Sequence, residues 1–246
     1  KNKERQKIMF RKMTVFIILV LTAVWFTNSD SIQSAREFIQ NNIYVWSETQ
    51  EEKLPIYCVD TDKKQIALTF DTAWGNEDIP QILKILKQEN VKATFFLIGE
   101  NAKNNPELVK REAEEGHLIG NHTYHHVELT KVSENEARLE LADTSAVIVR
   151  ITGKEPEYMR PPFGAWQRKL EREIQMLPVL WTIDPLDWTT ENQDEIVNKV
   201  VTEAEENDII LLHDCYKSSI EAGLRIVDIL QEEGFMFVTV DELLLN

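Results

Sequence analysis

The chain has 246 residues, 43% of them apolar and 28% charged. That is enough for one large α/β domain or two small ones around a sizeable core, and it argues against disorder. The net charge of −15 is uneven: residues 1–12 hold six Lys/Arg and one Glu, or +5, which leaves −20 on residues 13–246. A body that acidic repels phosphates and argues against nucleic acid as a partner.

The basic start leads into a fourteen-residue apolar run over residues 13–26, shorter than the roughly 20 residues that comfortably span a bilayer. A positive stretch followed by an apolar one is the order of a secretion signal. No clear small-x-small cleavage site follows, so an uncleaved signal anchor and a cleaved peptide both fit. A buried core helix fits less well, given the unbroken apolar run and its basic flank. Positive charge before the run puts the amino terminus in the cytoplasm and the body outside, secreted or anchored to the membrane through residues 13–26. The organisation expected is a basic tail with signal anchor or signal peptide over 1–27, a polar spacer with a short helix over 28–55, and a domain over 56–246.

Within that domain, β-rich runs alternate with helical spacing. Residues 65–70 (QIALTF) predict a first strand, and Ile82, Leu83, Ile85 and Leu86 mark a helix over 79–89. Residues 93–99 (ATFFLIG) predict a second strand, followed by one charged helix to Glu115 that Gly116 stops. A third short strand over 117–120 delivers His122-Thr123-Tyr124-His125-His126. Ser133 and Glu136 resemble a capping box opening a long helix towards Ile151, with Gly153 as its stop. Residues 157–160 lead into Arg160-Pro161-Pro162-Phe163-Gly164 and then a helix over 168–176. The remainder reads as a strand over 178–184, a helix over 191–206, a strand over 208–213, a helix over 219–233 stopped by Gly234, and a strand over 236–240. Such alternation implies a parallel sheet with right-handed crossovers, and about seven units at this length fit a barrel better than two open sheets.

Asp71, His122, Arg160, Asp184 and His213 all fall at or just past the carboxyl end of an expected strand. In βα barrels that rim carries the active site, because every strand points its following loop at the same opening. His122 and His126 stand four apart, so on a helical turn both rings face one side and hold one metal ion. Each residue also has an ordinary reading taken singly. Asp71 suits a cap of the next helix or turn, and Asp184 suits a cap of the turn before Pro185, a structural role that is favoured for it. Arg160 suits a surface ion pair and Trp181 suits core packing. Cys58 and Cys215, the only cysteines, suit a disulfide or two unrelated positions.

Five segments in this order resemble the polysaccharide deacetylases of carbohydrate esterase family four, whose catalytic unit is the nodulation-protein-B homology domain. They are Leu68-Thr69-Phe70-Asp71, His122-Thr123-Tyr124-His125-His126, Arg160-Pro161-Pro162-Phe163-Gly164, Asp184-Pro185-Leu186-Asp187-Trp188 and Leu211-Leu212-His213. The likeness covers about residues 64–243, and the Thr-Ala-Trp-Gly extension of the first segment looks most like the sporulation-type members. It implies a distorted (β/α)7 barrel that removes acetyl groups from N-acetylated sugars with a divalent metal, usually zinc. Carried over position by position, Asp71 matches the general base and Arg160 the arginine that orients it. His213 matches the general acid held by Asp187, and the backbone N–H of Phe163 an oxyanion donor. His122 and His126 match metal ligands, while Trp188 and Leu211 match an apolar wall around the acetyl methyl.

One position departs from the family pattern. The usual second Asp of the first segment, the third protein ligand of the metal, is here Thr72. A hydroxyl is a poorer zinc ligand than a carboxylate. Weak coordination by Thr72, water, help from His125, or Asp71 swinging onto the metal would each fill the gap. The substrate expected is N-acetylated cell-wall glycan, peptidoglycan or chitin-like. Two other classes stay open: a weak or inactive member that binds glycan strands, and a glycoside hydrolase using Asp184 and Asp187. Two acids three apart on one loop are poorly placed to flank a glycosidic bond.

Overall fold

The computed structural model describes residues 55–57, 63–72, 79–167 and 174–245. The apolar run over 13–26, the spacer, Cys58 and most of the expected helix over 168–176 lie outside the described residues. Among the described residues no helix is long and apolar enough to cross a membrane.

The chain alternates as its hydrophobic periods require. Strand β1 (Gln65–Thr72) is followed by α1 (Ile79–Gln88), β2 (Thr94–Leu97), α2 (Gly99–Asn104), α3 (Pro106–Glu114) and β3 (Leu118–Asn121). Then come α4 (Glu134–Thr152), β4 (Tyr158–Met159), a 3-10 turn at Pro162–Gly164, β5 (Leu177–Pro178) and a second 3-10 turn at Asp187–Thr189. The chain continues through α5 (Gln193–Glu203), β6 (Ile209–His213), α6 (Lys217–Glu232), β7 (Met236–Val238) and α7 (Val240–Leu244). Among the described residues all strand pairings are parallel, in the order β5-β4-β3-β2-β1-β6, with β7 also on β1. The segment after β5 touches both ends of this path. Val179 N donates to the Met159 carbonyl, and Leu211 N donates to the Ile183 carbonyl. The parallel sheet is therefore strongly curled, with its helices on the outside.

Side chains alternate across the curl as strand geometry demands. In β1, Ile66, Leu68 and Phe70 join the large core under the helices, with Ile82, Leu83 and Leu86 of α1, Val197 and Val200 of α5, and Ile226 and Leu230 of α6. Ala67 instead faces inward, packed with Phe96, Tyr158, Val179 and Ile209. Parity then sends Asp71 inward and Thr72 outward, a consequence that decides much of the site below.

Several boundaries differ from the sequence expectation for identifiable reasons. The single charged helix after the second strand is two helices, α2 and α3, separated at Asn105 (φ −128°, ψ 51°). Pro106 has no N–H and disfavours helical geometry in the residue before it, so the chain restarts with Pro at the first helical position. The expected strand over 178–184 is two residues plus bridges at Val179 and Ile183, because its two ends pair with different neighbours. Helix α7 replaces the end of the last expected strand, opened by a capping box in which Thr239 and Glu242 satisfy each other's backbone N–H. At α4 the expectation holds: the Ser133 hydroxyl accepts from Glu136 N, and Gly153 ends the helix at φ 74°.

Gly120 lies where β3 passes over β2 towards the histidines. A Cβ there would collide with the Phe96 ring and meet the Tyr158 carbonyl at 3.3 Å. Gly120→Ala is expected to lower unfolding stability by about 1–3 kcal/mol, the usual cost of overpacking, read as a lowered urea midpoint.

Candidate active site

The expected helical turn at the histidine pair is absent. His122 to His126 form a loop after β3, and Thr123 (φ 65°) and His126 (φ 59°) take left-handed backbone conformations. The two positive-φ residues fold the loop back so that the His122 and His126 rings lie 4.9 Å apart. Spacing of four is thus kept while its helical explanation is not. The loop sits against α2, where Gly99 N donates to the Thr123 carbonyl. Gly99 permits this approach, since a Cβ would lie 2.5 Å from the Tyr124 ring and 2.6 Å from Thr144 Oγ1.

His122 is buried, and its Nδ1 lies 2.7 Å from the Arg160 carbonyl oxygen. A carbonyl only accepts, so Nδ1 carries the proton and Nε2 keeps its lone pair. That Nε2 lies 3.5 Å from Asp71 Oδ2. Burial lowers the pKa of both histidines, of His126 to about 4, so both rings are neutral at neutral pH.

Asp71 ends β1 on its inner face, with Oδ1 accepting from Arg160 Nη1 at 2.8 Å. Arg160 is fully buried and its other two nitrogens also donate: Nη2 to the Leu180 carbonyl at 3.0 Å and Nε to the Val179 carbonyl at 3.3 Å. Its guanidinium lies 4.3 Å from the centre of the Phe96 ring. Burial pushes the Asp71 carboxyl up, but Arg160, His122 and His213 outweigh it and hold the group below its ordinary value. Asp71 is therefore ionised at neutral pH.

His213 ends β6, in register with Asp71 on the neighbouring strand. Asp187, on the second 3-10 turn, accepts from His213 N at 2.7 Å through Oδ2 and lies 2.7 Å from His213 Nδ1 through Oδ1. Burial lowers the His213 pKa, yet the bond to Asp187 and the charges of Asp187, Asp71 and Asp184 turn the net shift upward. Asp184 accepts from Leu186 N at 2.9 Å, which is the turn-capping role expected of it.

The structure brings Asp71, His122, His126, Arg160, Asp187 and His213 to one rim. Phe163 stands beside them at φ 62°, its ring 4.8 Å from that of His126 and 67% exposed. Leu211 is buried two residues before His213, and Trp188 is more than half exposed beside Asp187. Thr72 does not join them. Its hydroxyl donates to Asp214 Oδ2 on the outer face, as the parity of β1 requires. His125 is also turned aside, with Nδ1 2.7 Å from Glu140 Oε1. The sequence reading missed Glu140, Asn121 and Asp214 as site-building residues. Strand alternation at Thr72 and Asp214 was the available signal for the last.

These residues suit a divalent metal in part. Two neutral imidazoles with one nitrogen anchored on a carbonyl are the usual preparation of histidine ligands. The third protein ligand is not supplied by Thr72, and among the described residues no group of three His, Cys, Asp or Glu side chains is disposed to hold an ion.

A curled parallel sheet with a carboxylate–arginine pair, two facing histidines and a histidine–aspartate pair on its carboxyl rim defines a hydrolase-like α/β protein. The polysaccharide deacetylase model matches residues 59–179. The chain is 41% identical over 186 residues to a peptidoglycan-N-acetylglucosamine deacetylase of Bacillus cereus, covering 73% of this chain and 68% of that protein. It is 38% identical over 185 residues to the peptidoglycan-N-acetylmuramic acid deacetylase PdaC of Bacillus subtilis, covering 75% of this chain but only 40% of that protein. The solved PdaC structure matches with a TM-score of 0.72 at 38% identity, covering 75% of this chain and 92% of that one. A solved CE4 family pseudoenzyme from Bacillus anthracis matches with a TM-score of 0.75 at 33% identity, covering 78% of this chain and 69% of that one. The chain belongs to the polysaccharide deacetylase family.

The His213–Asp187 pair has a defined pH signature. Because the folded pKa of His213 is raised above its ordinary 6.5, folding favours the protonated ring. That stabilisation is complete below the unfolded pKa and is lost as pH rises through the folded one. Asp187→Asn is expected to lower the His213 pKa in an NMR titration. The stability gap between wild type and variant, measured by urea unfolding, is expected to be wide at pH 6 and narrower at pH 9.

Proposed function

We propose that the protein hydrolyses the N-acetyl amide of cell-wall glycan, peptidoglycan or a chitin-like strand, outside the membrane, and releases acetate. The observation that carries this reading is the opposition of two differently tuned groups on one rim, an ionised Asp71 and a His213 that favours its proton. Amide hydrolysis needs that pair, a base for the attacking water and an acid for the poor amine leaving group.

A divalent cation, zinc being the family's usual choice, would be held by His122 and His126, where it supplies carbonyl polarisation and a more acidic water. On this chain's side, Asp71 accepts the proton of the attacking water while Arg160 keeps the carboxylate oriented and ionised. The Phe163 backbone N–H is the donor for the developing oxyanion; its amide belongs to a turn held at φ 62°. His213, steadied by Asp187, returns a proton to the departing nitrogen. Buried Leu211 and exposed Trp188 supply apolar surface for the acetyl methyl. The parallel curl supports completion as the distorted (β/α)7 barrel, and the apolar run over 13–26 supports anchorage or export. Relatives acting on N-acetylglucosamine and on N-acetylmuramic acid both support peptidoglycan as the substrate class.

One observation favours a second reading, a weakly active or inactive glycan binder. Thr72 is committed to Asp214 instead of facing the histidines, and a pseudoenzyme is among the similar structures. Acetate release by the full chain from chitooligosaccharide and from peptidoglycan separates the two. The expected result is acetate from at least one substrate, lost on chelation and restored by zinc. Asp71→Asn is expected to lower kcat by roughly 10²–10⁴-fold. Glycan binding with no acetate under any metal would establish the binder instead.

A further inference from the structure

We propose that Glu140 is the positioning residue of the histidine loop, its buried carboxylate on α4 holding the turn that presents His126 beside His122. Oε2 accepts from Tyr124 N and from His125 N, both at 2.8 Å, and Oε1 lies 2.7 Å from His125 Nδ1. Three hydrogen bonds from two consecutive loop residues thus converge on one side chain that is 10% exposed. They offset the cost of burying a carboxylate, and they use two backbone donors that no strand or helix partner would satisfy.

The rest of the loop backbone is held in a way that makes Glu140 decisive. Thr123 N donates to Asn121 Oδ1, and the Asn121 amide donates to the Leu141 carbonyl and to Ser145 Oγ, both also on α4. The Thr123 and Tyr124 carbonyls accept from Gly99 N and Glu100 N at the start of α2. Helix α2 therefore holds the loop's acceptors, Asn121 its first donor, and Glu140 the next two. Thr123 and His126, at φ 65° and 59°, bracket the span that Glu140 grips. A left-handed residue without glycine's freedom persists where its surroundings over-determine it. Glu140 grips the pair through the loop that carries it, by Tyr124 N, His125 N and the His125 ring; His125 is spent as part of that grip.

The test compares full-length wild type with Glu140→Ala, Glu140→Gln and Glu140→Asp by two measurements, neither of them activity. The first is the imidazole NMR shift of His126 in the metal-free protein, which senses the Phe163 ring 4.8 Å away. In Glu140→Ala, which removes both acceptor oxygens, that shift is expected to move towards its unfolded value while the resonances of the His213–Asp187 pair stay in place. In Glu140→Gln, whose carbonyl oxygen still accepts from both backbone N–H groups, it is expected to stay nearer the wild-type position. An unchanged His126 shift in a folded Glu140→Ala overturns the proposal. The second is zinc affinity by chelator competition, expected to fall about 10–100-fold in Glu140→Ala and to recover in part in Glu140→Asp. Wild-type affinity in a folded Glu140→Ala overturns it equally. The zinc measurement rests on the proposed reading of His122 and His126 as the cation pair; the ring shift does not. A wild type that binds no zinc therefore counts against that reading, while the ring shift still decides for or against Glu140.

Discussion

The buried contact between Arg160 and Asp71 is the constraint on which the rim depends. A guanidinium with no solvent is tolerable only when its donors are met and its charge is opposed. Here the opposing charge comes from the end of β1, the carbonyl partners come from Val179 and Leu180, and Phe96 lies against its face. The Arg160 carbonyl then fixes His122 Nδ1. One residue thus sets the ionisation of the carboxylate, the tautomer of a histidine and the position of the segment that joins the two ends of the curled sheet. The desolvation that makes this arrangement costly also makes it specific, since any displaced partner leaves a buried charge uncompensated.

The electrostatics of the rim follow from burial acting on groups of opposite sign. Burial raises a carboxyl pKa and lowers an imidazole pKa, so without partners Asp71 would tend to neutrality and so would every histidine. Arg160 reverses the outcome for Asp71, and Asp187 reverses it for His213. His122 has its strongest opposing charge in Asp71 and still shifts down, as does His126. At neutral pH the rim therefore presents a carboxylate, two neutral rings and a third ring whose pKa is raised by its carboxylate partner. On the proposed reading these are a base, a pair of ligands and an acid. Groups whose surroundings drive their pKa values apart are what hydrolytic chemistry on one small surface requires.

Much of this was legible before any coordinates, because the signals were periodic. The alternation of strand and helix and the strand-end placement of Asp71, His122, Arg160 and His213 follow from repeats of two and 3.6 residues. The errors arose where geometry overrides spacing. His122 and His126 are four apart, and a helical turn is the ordinary reason for such a pair to meet. The loop meets the same requirement with positive φ at Thr123 and His126, and neither residue type announces that conformation. Pro106 did announce the break between α2 and α3, as Thr239 and Glu242 announced α7, and a stricter reading of caps and prolines would have placed both. Glu140 was beyond reach, since its meaning lies in where α4 crosses a loop sixteen residues earlier.

Thr72 shows how a one-residue step decides chemistry. Position 72 adjoins Asp71, but adjacent side chains on a strand face opposite ways, and Thr72 leaves the rim to donate to Asp214 under the helices. Burial raises the Asp214 pKa to about 7, so this outer contact is a hydroxyl against a carboxyl that is only partly ionised at neutral pH. If a cation sits at His122 and His126, a carboxylate oxygen close to it among the described residues is Asp71 Oδ2, 3.5 Å from His122 Nε2, while Oδ1 stays on Arg160. Ligand and base then draw on the same carboxylate. On the proposed reading, a family member with a carboxylate at position 72 divides those roles between two side chains, whereas this chain would concentrate them in one, and catalysis would then depend on how Asp71 shares its two oxygens.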